Sequence, residues 1–228
     1  MSDEPRPADD PAPHLASYAE RYARFPPGFF DRADIDDETF YRPIRMVTHI
    51  DEAAIAAVGA TYAKFGFDGV VLDLMSSWIS HFVAAPRELV ALGMNAAELE
   101  ANPQASERVR HDLNRDPLLP FADERFDAVV CCVSVDYLAK PLEVFDEVHR
   151  VLKPGGRFLN TFSNRCFPTK VINGWAASDD RGHVAIVAEY HRQTGPWEGL
   201  DAAVRTPPDH RGDPLYAVWA DKPNRAAS

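Results

Sequence analysis

Leu119-Pro120-Phe121-Ala122-Asp123-Glu124-Arg125-Phe126-Asp127-Ala128-Val129-Val130-Cys131-Cys132-Val133 is the stretch on which the fold reading turns. A polar turn leads into Phe126–Val133, which is apolar apart from Asp127, the composition of a strand buried on both faces. A second stretch follows, Glu147-Val148-His149-Arg150-Val151-Leu152-Lys153-Pro154-Gly155-Gly156-Arg157. Leu142, Phe145, Val148, Val151 and Leu152 share one face of a helix over 142–152. Pro154-Gly155-Gly156 then demands a tight turn into a strand over 157–162.

Working outward, Asp51 is a good N-cap for a helix over 51–65, where Ile55, Val58, Tyr62 and Phe65 recur at helical spacing and Gly66 stops the run. Val70–Leu74 and Glu88–Leu92 read as apolar strands, Ala96–Ala101 as a helix capped by Asn95, and Val109–Leu113 as a third strand. A helix opening at Ser76 completes the order β-α-β-α-β-β-α-β. That order predicts a mostly parallel sheet with helices on both faces. Residues 168–193 read as interrupted helix, and 202–205 with 215–220 as a closing strand pair. The domain organisation expected is a disordered N-terminus over 1–14, an aromatic-rich lid segment over 15–50, one domain over 51–221 and a tail over 222–228.

Composition narrows the function classes. Against 24 lysines and arginines stand 35 acidic residues, a net charge of −11. With its basic residues scattered, the chain is poorly suited to a nucleic acid partner, which needs a basic face. The three cysteines lack metal-like spacing, and the histidines show none either, so no metal is expected. No apolar run approaches the roughly 20 residues of a membrane span, and no signal peptide opens the chain. A soluble, reduced, cytoplasmic protein is the expectation.

The two opening stretches resemble the class I S-adenosylmethionine-dependent methyltransferases of the type 11 group. Leu119–Val130 is similar to that family's LPF-x-D-x-x-FD-x-V passage, and Glu147–Arg157 to its E-x-x-RVLKPGG helix and turn. The resemblance implies a Rossmann-like α/β fold with an antiparallel C-terminal strand. It implies S-adenosylmethionine as cofactor, methyl transfer to a small-molecule acceptor by direct displacement, and a ligand beyond the carboxyl ends of the first strands.

It also implies roles for single residues. Asp73 matches the family's acid at the end of the first strand. The glycines that follow in the family are replaced here by Met75, Ser76, Ser77 and Trp78. The serine hydroxyls and backbone N–H groups are candidates to hold the methionine carboxylate; otherwise they cap a helix. Asn95 stands where the family has a ribose-binding acid, and reads equally as a helix N-cap. Asp112 and Leu113 fall at the adenine position, Asp112 reading otherwise as a turn former. Cys131 and Cys132 fall where the family lines the methionine moiety, with no covalent role expected.

Asp136 and Tyr137 fall where the family often carries a His-His pair; Tyr137 is a candidate to wall the pocket or orient substrate, or else a packing residue. Asn164 and Arg165 leave the fifth strand toward the substrate region, where Arg165 suits a carboxylate or phosphate; the alternative is a solvated loop. His49, before the first domain helix, is a candidate general base or a structural histidine. The departures in the cofactor loop leave a second reading open, a methyltransferase-like scaffolding or binding protein without catalysis. A different nucleotide-like cofactor in the same cleft is the third.

Overall fold

The computed structural model describes residues 13–225; the N-terminal stretch expected to be disordered lies almost wholly outside the described residues. The described helices are α1 (Tyr18–Tyr22), α2 (Asp37–Tyr41), α3 (Glu52–Phe65), α4 (Ala96–Ala101), α5 (Pro141–Val151), α6 (Asn173–Ala176) and α7 (Asp180–Gln193). The strands are β1 (Val70–Leu74), β2 (Glu88–Gly93), β3 (Glu107–Arg110), β4 (Phe126–Cys132), β5 (Leu152–Phe162), β6 (Glu198–Val204) and β7 (Tyr216–Asp221). They form one sheet in the order β3-β2-β1-β4-β5-β7-β6. Pairing is parallel from β3 to β5; β7 runs antiparallel to both β5 and β6. This is the expected α/β architecture, and the strand order reverses between β1 and β4, so loops leaving those two strands open a crevice.

Local chemistry accounts for the elements near that crevice. Asp51 caps α3 by accepting from the Ala54 N–H at 2.8 Å, and Gly66 ends it in the left-handed region at φ 68°. Every residue of β1 is buried, and all of β2 except Glu88, as a central parallel pair requires. One sheet face carries α5, α7 and the largest apolar cluster; α3 packs on the other through Ala54, Val58 and Tyr62. The aromatic N-terminal segment packs onto the first face: Phe25, Phe29 and Phe30 contact one another, and Phe25 and Phe30 reach Tyr190. Gly174 leaves room for the Phe29 ring, which would lie 2.3 Å from a Cβ there.

Three expectations are corrected. Residues 75–87, between β1 and β2, contain no helix; a loop takes its place, for reasons given below. The third strand lies at Glu107–Arg110 rather than 109–113. It is an edge strand rich in charge, so an apolar run does not mark it, and Leu113 reaches the core from the following turn. The fifth strand begins at Leu152, and Pro154-Gly155-Gly156 is an irregularity within it, with Gly155 at φ 77°. Its partner is the start of the expected tail: the Lys222 N–H donates to Gly156 O at 2.8 Å and the Gly155 N–H to Lys222 O at 2.9 Å.

A short 3-10 turn, Val135–Tyr137, follows β4. There Asp136 is 3% exposed and its Oδ2 has no partner. Burial pushes this carboxyl up to about 8. A carboxyl raised above its unfolded value of 3.8 binds its proton more tightly in the folded state. The fold therefore loses stability as pH rises from about 4 to about 8, and the loss is constant above that. Asp136→Asn is expected to raise Tm over wild type by several degrees, with a gap that widens from pH 5 to pH 8 and then levels. Thermal melts of both proteins at pH 5, 7 and 9 check this; a constant gap would contradict it.

Candidate functional site

The crevice beyond the carboxyl ends of β1, β2 and β4 holds a cavity of about 270 Å³. Its wall includes His49, Asp73, Met75, Ser76, Ser77, Asn95, Asp112, Leu113, Cys132, Tyr137 and Arg165, all singled out from the sequence. Two others lie apart. Cys131 points into the apolar core and is fully buried, because alternate residues of a strand face opposite sides of the sheet. Asn164 is exposed and outside the cavity wall.

Asp73 organises the loop that replaces the expected helix. Its buried Oδ2 accepts from Ser76 Oγ and from Ser80 Oγ, each at 2.6 Å. Asn102 Nδ2 donates to Ser80 Oγ at 2.7 Å and to Ser77 O at 3.1 Å. Ser77 Oγ donates to Glu98 Oε2 at 2.6 Å. Serine hydroxyls spent on side-chain acceptors do not cap a helix, and the backbone follows the side-chain network instead. Burial pushes the Asp73 carboxyl up to about 6, against the lowering effect of the two hydroxyls.

Left-handed backbone, which favours glycine, occurs at Met75, one of the residues standing where the resembled family has glycine, and recurs elsewhere on the wall. Met75 sits at φ 57°, His81 at φ 60° and Val133 at φ 44°, and all three line the cavity. Such conformations cost about 1–3 kcal/mol each and collect where function requires a particular backbone path. One glycine is retained at the site. At Gly93, closing β2, a Cβ would lie 2.1 Å from the Ser76 carbonyl oxygen, and Ser76 N donates to Leu92 O at 2.7 Å.

Asn95 is fully committed. Its Oδ1 accepts from Ala97 N at 3.0 Å and Glu98 N at 3.2 Å; its Nδ2 donates to Tyr41 O at 2.9 Å and Arg42 O at 3.2 Å. An asparagine amide has two donor hydrogens and two acceptor positions, so none is left for a ribose in this arrangement. The N-cap reading holds, joined by an unexpected task, tethering residues 41–42. Asp112 does serve as a turn former, its Oδ1 accepting from Asn114 N at 3.0 Å and Arg115 N at 3.2 Å. Among the described residues none donates to its Oδ2, and the half-buried side chain lines the cavity.

The segment ahead of α3 crosses the cavity mouth. Glu98 Oε1 accepts from Arg45 N at 2.7 Å, and Trp78 Nε1 donates to Val47 O at 3.2 Å. His49 lines the cavity with its ring 5.1 Å from that of Phe167, and burial lowers its proton affinity below the ordinary 6.5. Tyr137 Oη accepts from Phe167 N at 2.9 Å. Burial raises both Tyr137 and Cys132, the thiol to about 12, so each keeps its proton at neutral pH. Under this segment, fully buried Lys170 lies 3.0 Å from both Asp34 and Asp37, and Arg32 and Asn114 also bind Asp37. Among the described residues no cluster of histidine, cysteine and carboxylate is arranged to hold a metal.

Glu98, Arg45, Gly93 and His81 were not singled out from the sequence, and Trp78 only as one of the residues standing in place of the glycines. Glu98 alone carried a signal: it stands three residues after an asparagine N-cap, where a side chain reaches back toward the cap.

Residues 69–160 match a family described as a methyltransferase domain. Two curated relatives match shorter stretches. The biotin biosynthesis bifunctional protein BioHC of Teredinibacter turnerae is 34% identical over 80 residues, 35% of this chain and 14% of that protein. The malonyl-[acyl-carrier protein] O-methyltransferase of Marinomonas is 33% identical over 67 residues, 29% of this chain and 24% of that one. The chain thus spans under a third of either relative. Among solved structures, the 1,6-didemethyltoxoflavin-N1-methyltransferase of Burkholderia thailandensis, with bound S-adenosylhomocysteine, aligns with TM-score 0.55. It is 16% identical, with 76% of this chain and 80% of that one covered.

Gly93→Ala forces the new methyl group against the Ser76 carbonyl. It is expected to destabilise the fold by about 2–3 kcal/mol, read as a lower denaturation midpoint at unchanged slope. An unaltered midpoint would mean that the 75–80 loop is not held against β2.

Proposed function

With a methyltransferase domain over residues 69–160 on a class I methyltransferase fold as the premise, we propose that the chain is an S-adenosylmethionine-dependent methyltransferase acting on a small-molecule acceptor. The observation that carries this is the cavity at the strand-order reversal, where backbone at positive φ lines the wall at Met75, in the glycine-poor loop, and at Val133, after β4. Backbone strain without a ligand to serve would be a cost with no return.

The residues present fit that cofactor at two of three points. Asp112 Oδ2 and Leu113 would take the adenine; the strained backbone at Met75, near buried Asp73, would take the amino-acid end, while Ser76 spends its hydroxyl on Asp73 and its N–H on Leu92 O. The ribose has no partner in Asn95. When bound, S-adenosylmethionine supplies an electrophilic methyl group. The chain's own work is alignment of the acceptor, exclusion of water and removal of a proton. The segment tied down by Asn95, Glu98 and Trp78 excludes water. His49, kept neutral at pH 7 by its lowered proton affinity, accepts the acceptor's proton, and Tyr137 Oη orients the acceptor by donating its hydrogen.

Residues 15–50 act as a lid and 51–221 as the methyltransferase domain. A cytoplasmic, reduced setting is supported by three free cysteines and by the absence, among the described residues, of any helix long and apolar enough to cross a membrane. The acidic net charge supports a partner other than nucleic acid. The commitment of all four hydrogen-bonding positions of Asn95 favours a second reading, a methyltransferase-like binding or scaffolding protein.

Calorimetric titration with S-adenosylmethionine and S-adenosylhomocysteine separates the two. Micromolar binding is expected, weakened about tenfold or more by Asp112→Ala through loss of a charged hydrogen bond. No binding by folded, ligand-free protein would leave the scaffold reading. His49 adds a pH signature once an acceptor is in hand. A base must be unprotonated, so the acid limb of kcat/KM is expected to have its midpoint below the ordinary histidine value of 6.5. His49→Gln should lower kcat by roughly 100-fold and remove that acid limb; an unchanged profile would exclude His49 as the base.

A further inference from the structure

The part of the cavity wall left over after the cofactor positions is aromatic and cationic. Tyr41, His49, Tyr137 and Phe167 line it. Phe167 is the centre of this group: its ring lies 5.1 Å from His49, 5.8 Å from Tyr137 and 5.2 Å from Phe40, which packs on Tyr41 at 4.9 Å. The group is held stiffly. Tyr137 Oη accepts the Phe167 N–H, and the Lys170 ammonium sits 4.9 Å from the Phe40 ring centre. Rigid aromatic walls favour a flat ring as guest.

Two guanidinium groups face the same space. Arg45 and Arg165 both line the cavity. Arg45 has no carboxylate partner among the described residues; its guanidinium lies over Phe40 at 4.6 Å and donates to Pro43 O at 3.2 Å. Arg165 has 65% of its side chain exposed and only Asp213 near it, at 3.9 Å. Asp213 is itself engaged by the Asp51 N–H at 3.0 Å. Of the four carboxylates on the wall, Asp37 is ion-paired with Arg32 and Lys170, Glu98 and Asp73 accept hydrogen bonds from neutral donors, and Asp112 is the one given above to the adenine. Arg45 and Arg165 are thus guanidinium groups on the wall without a close carboxylate among the described residues, and a guanidinium fork matches a carboxylate in plane.

We propose that the acceptor is a small planar aromatic molecule bearing a carboxylate, its ring against Phe167 and Tyr137 and its anion at Arg165 and Arg45. The inference rests on the methyltransferase reading only in treating the guest as acceptor; the binding chemistry stands on the wall itself.

The test is direct binding to the full chain saturated with S-adenosylhomocysteine, by calorimetry and ligand-observed NMR. Three probes are compared: 4-hydroxybenzoate, 4-hydroxybenzyl alcohol, which keeps the ring and lacks the charge, and cyclohexanecarboxylate, which keeps the charge and lacks the flat ring. The expected result is that 4-hydroxybenzoate binds at least tenfold more tightly than either. Arg165→Gln should remove most of that advantage over the alcohol without changing Tm, and Phe167→Leu most of the advantage over cyclohexanecarboxylate. Equal affinity for the three probes, or no binding of 4-hydroxybenzoate to protein that holds S-adenosylhomocysteine, overturns the proposal. If S-adenosylhomocysteine itself does not bind, the same series on the free protein decides. Selective capture of 4-hydroxybenzoate then keeps the aromatic-anion site and removes only the cofactor reading; no selectivity removes both.

Discussion

Everything around the cavity depends on one buried carboxylate oxygen. Asp73 Oδ2, at the end of the central strand, receives two serine hydroxyls from the loop that follows. A helix at that place would satisfy its own backbone and need no such help. Here the chain between β1 and β2 has no internal ladder, so its polar groups are met by side chains of Asp73, Asn102 and Glu98 and by the Leu92 carbonyl. The cost is a carboxylate held where water cannot reach it, and the return is a loop that keeps left-handed residues in place without glycine.

The same network reaches the N-terminal segment. Glu98 accepts a serine hydroxyl with one oxygen and the Arg45 N–H with the other, so the floor and the cover of the cavity share a residue. Beneath the cover lies a fully buried lysine between two aspartates. Buried ion pairs contribute little net stability compared with apolar packing, but removing one partner is expensive. Such a cluster fixes where the segment goes more than how tightly it is held.

Much of the fold was legible because it rests on short-range rules. The capped helices at Asp51 and Asn95 and the doubly buried strands at Val70 and Phe126 announce themselves through periodicity and cap chemistry. The helix expected after β1 was misread because Ser76 and Ser77 have the right side chains for a cap; their partners, Asp73 and Glu98, are acceptors that only the folded chain brings near. The edge strand at Glu107 was displaced because charge, not apolarity, marks it. At the site, residues placed by strand ends were found from sequence, among them Asp73, Asp112 and Tyr137. Glu98, Arg45 and the hold of Trp78 on Val47 were not, since their importance lies in contacts between segments that sequence spacing does not encode. Asn95 was seen but half understood: its cap was local and readable, its hold on Tyr41 and Arg42 was neither.

The three ties across the cavity mouth share a property. Asn95 grips the carbonyls of Tyr41 and Arg42, Trp78 that of Val47, and Glu98 the amide of Arg45. Each engages the main chain of the covering segment and none its side chains. The latch is therefore indifferent to the side chains it holds, proline at 45 excepted because Glu98 needs that N–H. Side chains between 42 and 49 are free to be exchanged during divergence without unfastening the cover, so the surface presented to a guest can be rewritten while the enclosure is inherited intact.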